Sequence, residues 1–149
     1  MAKDLTTSAI ERQNILNNMV AMPRIQEDLG VKALEFEGRY VLTKQMVAEY
    51  YGVDERTIER FLAANEEELT HNGYFLCKGK SLKEFKLRFA SDIDVATKTT
   101  VLGLFDFRSF LNIGMLLTVS EKAKYVRTRI LDIVIATINE KTGGGTKYI

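Results

Sequence analysis

Two short helical patterns meet at Gly52 with no room for a longer loop, and that junction limits the folds open to the chain. The stretch is MVAEYYGVDERTIERF, Met46 to Phe61. Thr43 can cap a helix over 44–51, and Asp54 a second one from about Glu55 to Ala64, with Thr57 in its first turn. Glycine at 52 allows the positive φ that a tight helix stop requires. Ala48, four residues earlier, is small where the helices cross, and Val53 supplies an apolar anchor after the turn. Ile58 and Phe61 are spaced to bury on one side of the second helix, as Val47 and Tyr51 are on the first. No buried position is charged and no proline interrupts. The spacing predicts a helix-turn-helix.

The outward positions of the second helix are Glu55, Arg56, Glu59 and Arg60, with Asp54 and Thr57 near the backbone. Arginine pairs bidentately with guanine and glutamate accepts from cytosine N4, so this face suits a reader of double-stranded DNA. Its acids oppose the phosphates, which supply most of the affinity. Attraction is therefore expected from elsewhere. Between positions 78 and 88 stand Lys78, Lys80, Lys83, Lys86 and Arg88 against Glu84 alone. The segment YFLCKGKSLKEFKLRFA has two readings. Alternation of Phe85, Leu87 and Phe89 with charged residues predicts a hairpin over Tyr74–Phe89, whose tip KGKSLK is a basic wing. The competing signal is a capping box, Ser81 to Glu84, on a helix with Leu82, Phe85 and Phe89 inward. The hairpin is the expectation. Thr43, Lys44, Lys78, Lys80 and Lys83 are then the phosphate contacts, and Lys122, Lys124, Arg127 and Arg129 form a second basic patch.

The remaining segments predict an α+β, mainly helical chain. A helix from about Ser8 to Ala21, with an apolar stripe of Ile10, Ile15, Leu16, Met19 and Val20, is ended by Pro23. Leu34 to Leu42 alternates across Gly38 as a β-hairpin. Asn65 caps EEELTH, which stops at Asn72-Gly73; VLGLFD is a strand, and Asp106 caps a helix over 107–117. Ser120 opens a last helix to about Lys141, whose second half, ILDIVIATI, is apolar nearly all round. Such a helix is buried in a core or at a subunit contact, so a core position and a homodimer both stay open. The expected organisation has three parts. Residues 1–90 hold the N-terminal helix and the winged helix-turn-helix. Residues 91–142 are a strand and two helices packed on it, and 143–149 are a glycine linker and tail. TKYI after Gly143–Gly145 reads as a strand cut short, so the chain is expected to be an N-terminal part of a longer protein.

Composition excludes several classes. The 149 residues carry a net charge of +1, so any nucleic-acid site depends on local charge placement. One histidine, His71, and one cysteine, Cys77, exclude Cys/His metal clusters and an intrachain disulfide. His71 in ELTHNGY reads as a helix end rather than a catalytic base. No G-x-G-x-x-G or Walker pattern occurs, and GGGTK lacks the strand–loop–helix context of a phosphate loop. No enzyme, cofactor or metal is expected. No signal peptide and no membrane-length apolar run appear, so the chain reads as soluble and cytoplasmic.

RYVLTKQMVAEYYGVDERTIERFL resembles the N-terminal segment of RhuM-like proteins, which belong with phage antirepressor-type DNA-binding proteins. The resemblance lies in Leu42-Thr43, Met46, Ala48, Gly52-Val53 and Thr57-Ile58. TKTTVLGLFDFRSFLNIGMLL and ILDIVIATINEKTGGGTKYI resemble bacterial DNA-binding or antitoxin-like proteins of toxin–antitoxin loci, in which more chain follows the glycines. Arg60-Phe61 stand where the RhuM-like pattern places a histidine. The resemblance runs from about Leu34 onward. It implies DNA binding, gene control and, in the antitoxin-like relatives, a toxin partner.

Overall fold

The computed structural model describes residues 4–90 and 99–141. The chain is α+β and mainly helical, with a small four-stranded antiparallel sheet. Its elements are α1 (Ala9–Leu16), α2 (Ala21–Leu29), β1 (Leu34–Phe36), β2 (Arg39–Thr43), α3 (Lys44–Tyr51), α4 (Glu55–Ala64), α5 (Glu66–His71), β3 (Phe75–Lys78), α6 (Gly79–Arg88), β4 (Val101–Phe105), α7 (Phe107–Leu116) and α8 (Glu121–Lys141).

The expected single N-terminal helix is two helices. Ser8 caps α1 as expected, accepting from the Glu11 N–H, but the helix stops at Leu16. The Asn18 side chain accepts from the N–H groups of Val20 and Ala21 and so starts α2. Asparagine offers the backbone a local alternative to the helix, and here it wins. Pro23 sits in the first turn of α2, where its missing N–H has no intrahelical partner to lose. The break leaves Met19 86% exposed, while Arg12, not on the expected apolar stripe, is buried.

The sheet runs in the order β1-β2-β4-β3. β1 and β2 form the expected hairpin, with Glu37 and Gly38 both at positive φ, the signature of a two-residue I′ turn. β4 is paired on both sides, with β2 through Leu42↔Phe105 and with β3 through Leu76↔Gly103. Alternation along the strands divides the core. Leu42, Tyr74 and Phe105 face the large core with α1, α2, α3, α4, α5, α7 and α8. Phe36, Val41, Cys77 and Leu104 face a smaller core with Leu82 and Phe85 of α6 and Phe89, the residue that caps its end.

This second core corrects the expected hairpin over Tyr74–Phe89. Tyr74 precedes β3, and residues 79–88 are helical; no strand forms at 85–89. Phe85 meets Phe36 edge-on at 5.1 Å, and Leu87, inward in the strand reading, is 75% exposed. A strand beside β3 would have left the sheet's second apolar face in water. A helix laid across that face buries it. Ser81 does not cap α6: Lys78 holds the N-cap position, and the Ser81 hydroxyl donates to Glu37 of the β1–β2 turn.

The large core is organised around α7, in which every residue from Ser109 to Leu116 is buried. Asp106 caps it through a reciprocal box with Ser109. At Gly114 an added Cβ would overlap the Tyr51 hydroxyl, which donates to the Phe110 carbonyl at 2.9 Å. Burial pushes the Tyr51 phenol well above its ordinary range. Ser120 caps α8, accepting from the Ala123 N–H, and donates to the Tyr51 carbonyl. α2 runs antiparallel to α8, tied by Arg24 to Glu140 and Asp28 to Arg129.

A polar network joins α1, α5 and α7. The Arg12 guanidinium donates twice to the Glu68 carboxylate, at 2.7 Å each, and once to the Leu5 carbonyl. Asn112 also donates to Glu68, and Asn72 links Asn112, Gln13 and Arg108. Among the described residues no buried side-chain nitrogen or oxygen lacks a partner. Burial alone would raise the Glu68 carboxyl, but hydrogen bonds from Arg12 and Asn112, with the Arg12 charge, together hold it below its ordinary value. A depressed carboxyl stabilises the fold above its unfolded pKa of about 4.3, and that stability is lost as pH falls through the lower folded value.

Two outcomes follow. Gly114→Ala lowers stability by roughly 1–3 kcal/mol in urea denaturation, because the new methyl must push Tyr51 from its place. Glu68→Gln is less stable than wild type at pH 7; the gap begins to narrow as pH falls below the unfolded carboxyl pKa of about 4.3 and closes only once the pH is below the depressed folded value.

Candidate nucleic-acid interface

The two helices around Gly52 have the expected bounds and caps. Thr43 accepts from the Met46 N–H at 3.2 Å and caps α3. Gly52 ends α3 with φ 68°, and the Val53 N–H returns to the Ala48 carbonyl at 3.0 Å. Asp54 caps α4 by accepting from the Thr57 N–H, and also from the Thr57 hydroxyl, both at 2.9 Å. These two bonds, backbone first, hold the Asp54 carboxyl below its ordinary value, with help from the charges of Arg56 and Arg60. Ile58 and Leu62 bury against the large core, Phe61 only in part. Glu55, Arg56, Glu59 and Arg60 all face water.

The acids on this face are not equivalent. Glu59 is paired with Lys44 of α3 at 3.2 Å, both groups remaining partly open to solvent. Asp54 is occupied by its cap. Glu55 makes no ion pair among the described residues. The Arg60 guanidinium lies 5.5 Å from the ring of Phe61, its chain neighbour. Arg56 and Arg60 form no ion pair closer than 4.0 Å among the described residues.

Of the five expected phosphate contacts, two are committed elsewhere. The Thr43 side chain is buried at its capping position, and Lys44 holds Glu59. Lys78 ends β3, and alternation from Cys77 points it to the sheet face that carries Tyr74 and the large core. Lys80 and Lys83 are exposed on α6, which covers the opposite face. They do not form the tip of a β-hairpin beside α4. In the second basic patch, Arg127 donates to the Gly114 and Leu117 carbonyls at the end of α7, and Arg129 holds Asp28. Lys122 sits 4.7 Å from the Tyr50 ring, and Lys124 is exposed.

The sequence places Glu55, Arg56, Glu59 and Arg60 on the outward face of α4, where they stand, but gives no sign of the Lys44–Glu59 pair. The two lie fifteen positions apart, and only the crossing of α3 over α4 makes them neighbours. Among the described residues no group of His, Cys, Asp and Glu could hold a metal, and no helix is long and apolar enough to cross a membrane. No family model, no curated protein and no solved structure matches the chain.

The expected balance is readable by thermal denaturation. Asp54→Ala lowers the melting midpoint, since α4 loses its cap. Glu59→Gln changes stability by less than about 1 kcal/mol, the usual range for an exposed pair.

Proposed function

We propose that this chain is a DNA-binding regulator whose α3–Gly52–α4 unit is a helix-turn-helix and whose α4 enters the major groove. One observation carries the reading: α4 turns Ile58 and Leu62 into the core and holds Arg56 and Arg60 outward, with Asp54 engaged by its cap and Glu59 by Lys44, which leaves Glu55 as the acid beside them without an ion pair among the described residues. The sheet supports a winged variant of the motif. β2 precedes the two helices, β3 and β4 follow them, and β4 lies between the other two. The segment between β3 and β4 includes the helix α6, so the wing is not a simple loop. The resemblance to RhuM-like and antirepressor-type proteins agrees with this reading.

A basic hairpin no longer explains attraction to phosphate. The pairing of Glu59 with Lys44 meets part of the same need by lowering the negative charge that α4 presents. Lys78, on the α4 side of the sheet, is the phosphate contact retained from the original set. Non-specific affinity is then small, and discrimination rests on base contacts.

A second reading rests on α8. Ile135 and Ile138 are 56% and 51% exposed on a helix that buries Ala123, Val126, Ile130 and Thr137 on its inner side. That surface suits a toxin or a second copy of the chain, with α3 and α4 serving only as structure. Sedimentation as a monomer at tens of micromolar, together with retention on DNA, argues against it.

Fluorescence anisotropy with mixed-sequence duplexes tests the main reading. Binding at about 50 mM salt should weaken as salt rises. Arg56→Ala, Arg60→Ala and Lys78→Ala should each reduce it, and the double change of Lys80 and Lys83 to alanine should leave it within about twofold, unlike a phosphate-contacting wing. Absence of binding to any duplex at low salt refutes the reading.

A further inference from the structure

We infer that α4 selects a DNA site containing two guanines within about three base pairs, one read by Arg56 and one by Arg60. This rests on the helix-turn-helix reading above and names what that site recognises.

The inference comes from what is left free on α4 once the structure has used the rest. The Thr57 hydroxyl donates to Asp54. Asp54 accepts from Thr57 twice. Glu59 accepts from Lys44. What remains outward in the first two turns is Glu55 and the two guanidinium groups. A guanidinium donates only and accepts nothing. In the major groove guanine shows two adjacent acceptors, O6 and N7, which match the fork. Adenine places the N6 donor where O6 would stand, and thymine offers a single acceptor beside a methyl group. The donors on this face therefore favour guanine over the other bases.

Spacing sets the geometry of the site. Arg56 is the second residue of α4 and Arg60 lies four residues on, about one turn and roughly 6 Å along the axis. Residues three apart on a recognition helix reach successive base pairs in zinc fingers. A spacing of four thus reaches an adjacent pair or the next but one. The short Asp54–Thr57 cap fixes the start of the helix, and so the position of Arg56 relative to the backbone.

The test is selection of binding duplexes from a randomised library by the intact chain, followed by competition on the selected site. Wild type is expected to enrich two guanines within the three-pair window. Replacing either guanine should weaken binding roughly ten- to hundredfold. Arg56→Ala should abolish preference at one position and Arg60→Ala at the other. Arg56→Gln should move preference at its position from guanine toward adenine, a change that loss of charge alone does not produce. Both arginines are exposed, and circular dichroism of the variants checks that they remain folded. Retained duplexes with no guanine enrichment overturn the inference and leave DNA binding standing. Enrichment that survives in both alanine variants also overturns it. Failure to retain any duplex removes both readings.

Discussion

A helix buried on every side has nowhere to move, and α7 is such a helix. Every residue from Ser109 to Leu116 is buried, so the neighbouring elements are placed by their fit to this segment. Tyr51 is the clearest case. Its ring stacks on Phe110 at 5.0 Å, its hydroxyl reaches the Phe110 carbonyl, and Gly114 leaves the space for it. The last residue of α3 is thereby fixed to α7, and the Tyr51 carbonyl receives Ser120 at the start of α8. The orientation of α4 is inherited from these contacts, because only Gly52, Val53 and Asp54 separate it from α3.

Charge inside the fold obeys the same economy of satisfied groups. Arg12 is 6% exposed, a position that a lone guanidinium could not hold. The bidentate contact to Glu68, the Leu5 carbonyl and the amides of Asn72 and Asn112 together make it tolerable. The network specifies how α1 sits against α5 and α7 more sharply than apolar packing would, since a small slide breaks several directional bonds at once. On the outer surface of α4 the pairing of Glu59 with Lys44 is looser and worth less to stability. Its effect falls on the electrostatic character of the surface.

What could be read in the sequence was what is local. Caps at Ser8, Thr43, Asp54, Asp106 and Ser120 were legible because each acts within three residues of itself. The glycine stop at 52 and the hairpin at Gly38 were legible for the same reason. What failed depended on distant partners. Phe85 and Phe89 fit either period, and only the bare face of a sheet assembled from Phe36, Val41 and Leu104 decides for a helix. The break after Leu16 was masked by apolar residues at helical spacing, although the Asn17-Asn18 pair carried the signal. The buried Arg12 had no local mark, since Glu68 looks like Glu66 and Glu67 until the chain folds.

The strand order has a consequence in time. β4 lies between β2 and β3 but leaves the ribosome after both. Until residues 101–105 emerge, β3 has no partner, and β2 has only β1. Until α7 follows, Tyr51 has neither its ring partner nor its hydrogen-bond acceptor. The two helices around Gly52 are thus encoded early and completed late. Ordering them requires closing a long loop, which slows folding relative to a bundle of sequence neighbours. A nascent chain that stops short of α7 carries the sequence of the surface around Arg56 and Arg60 without the support that orients it.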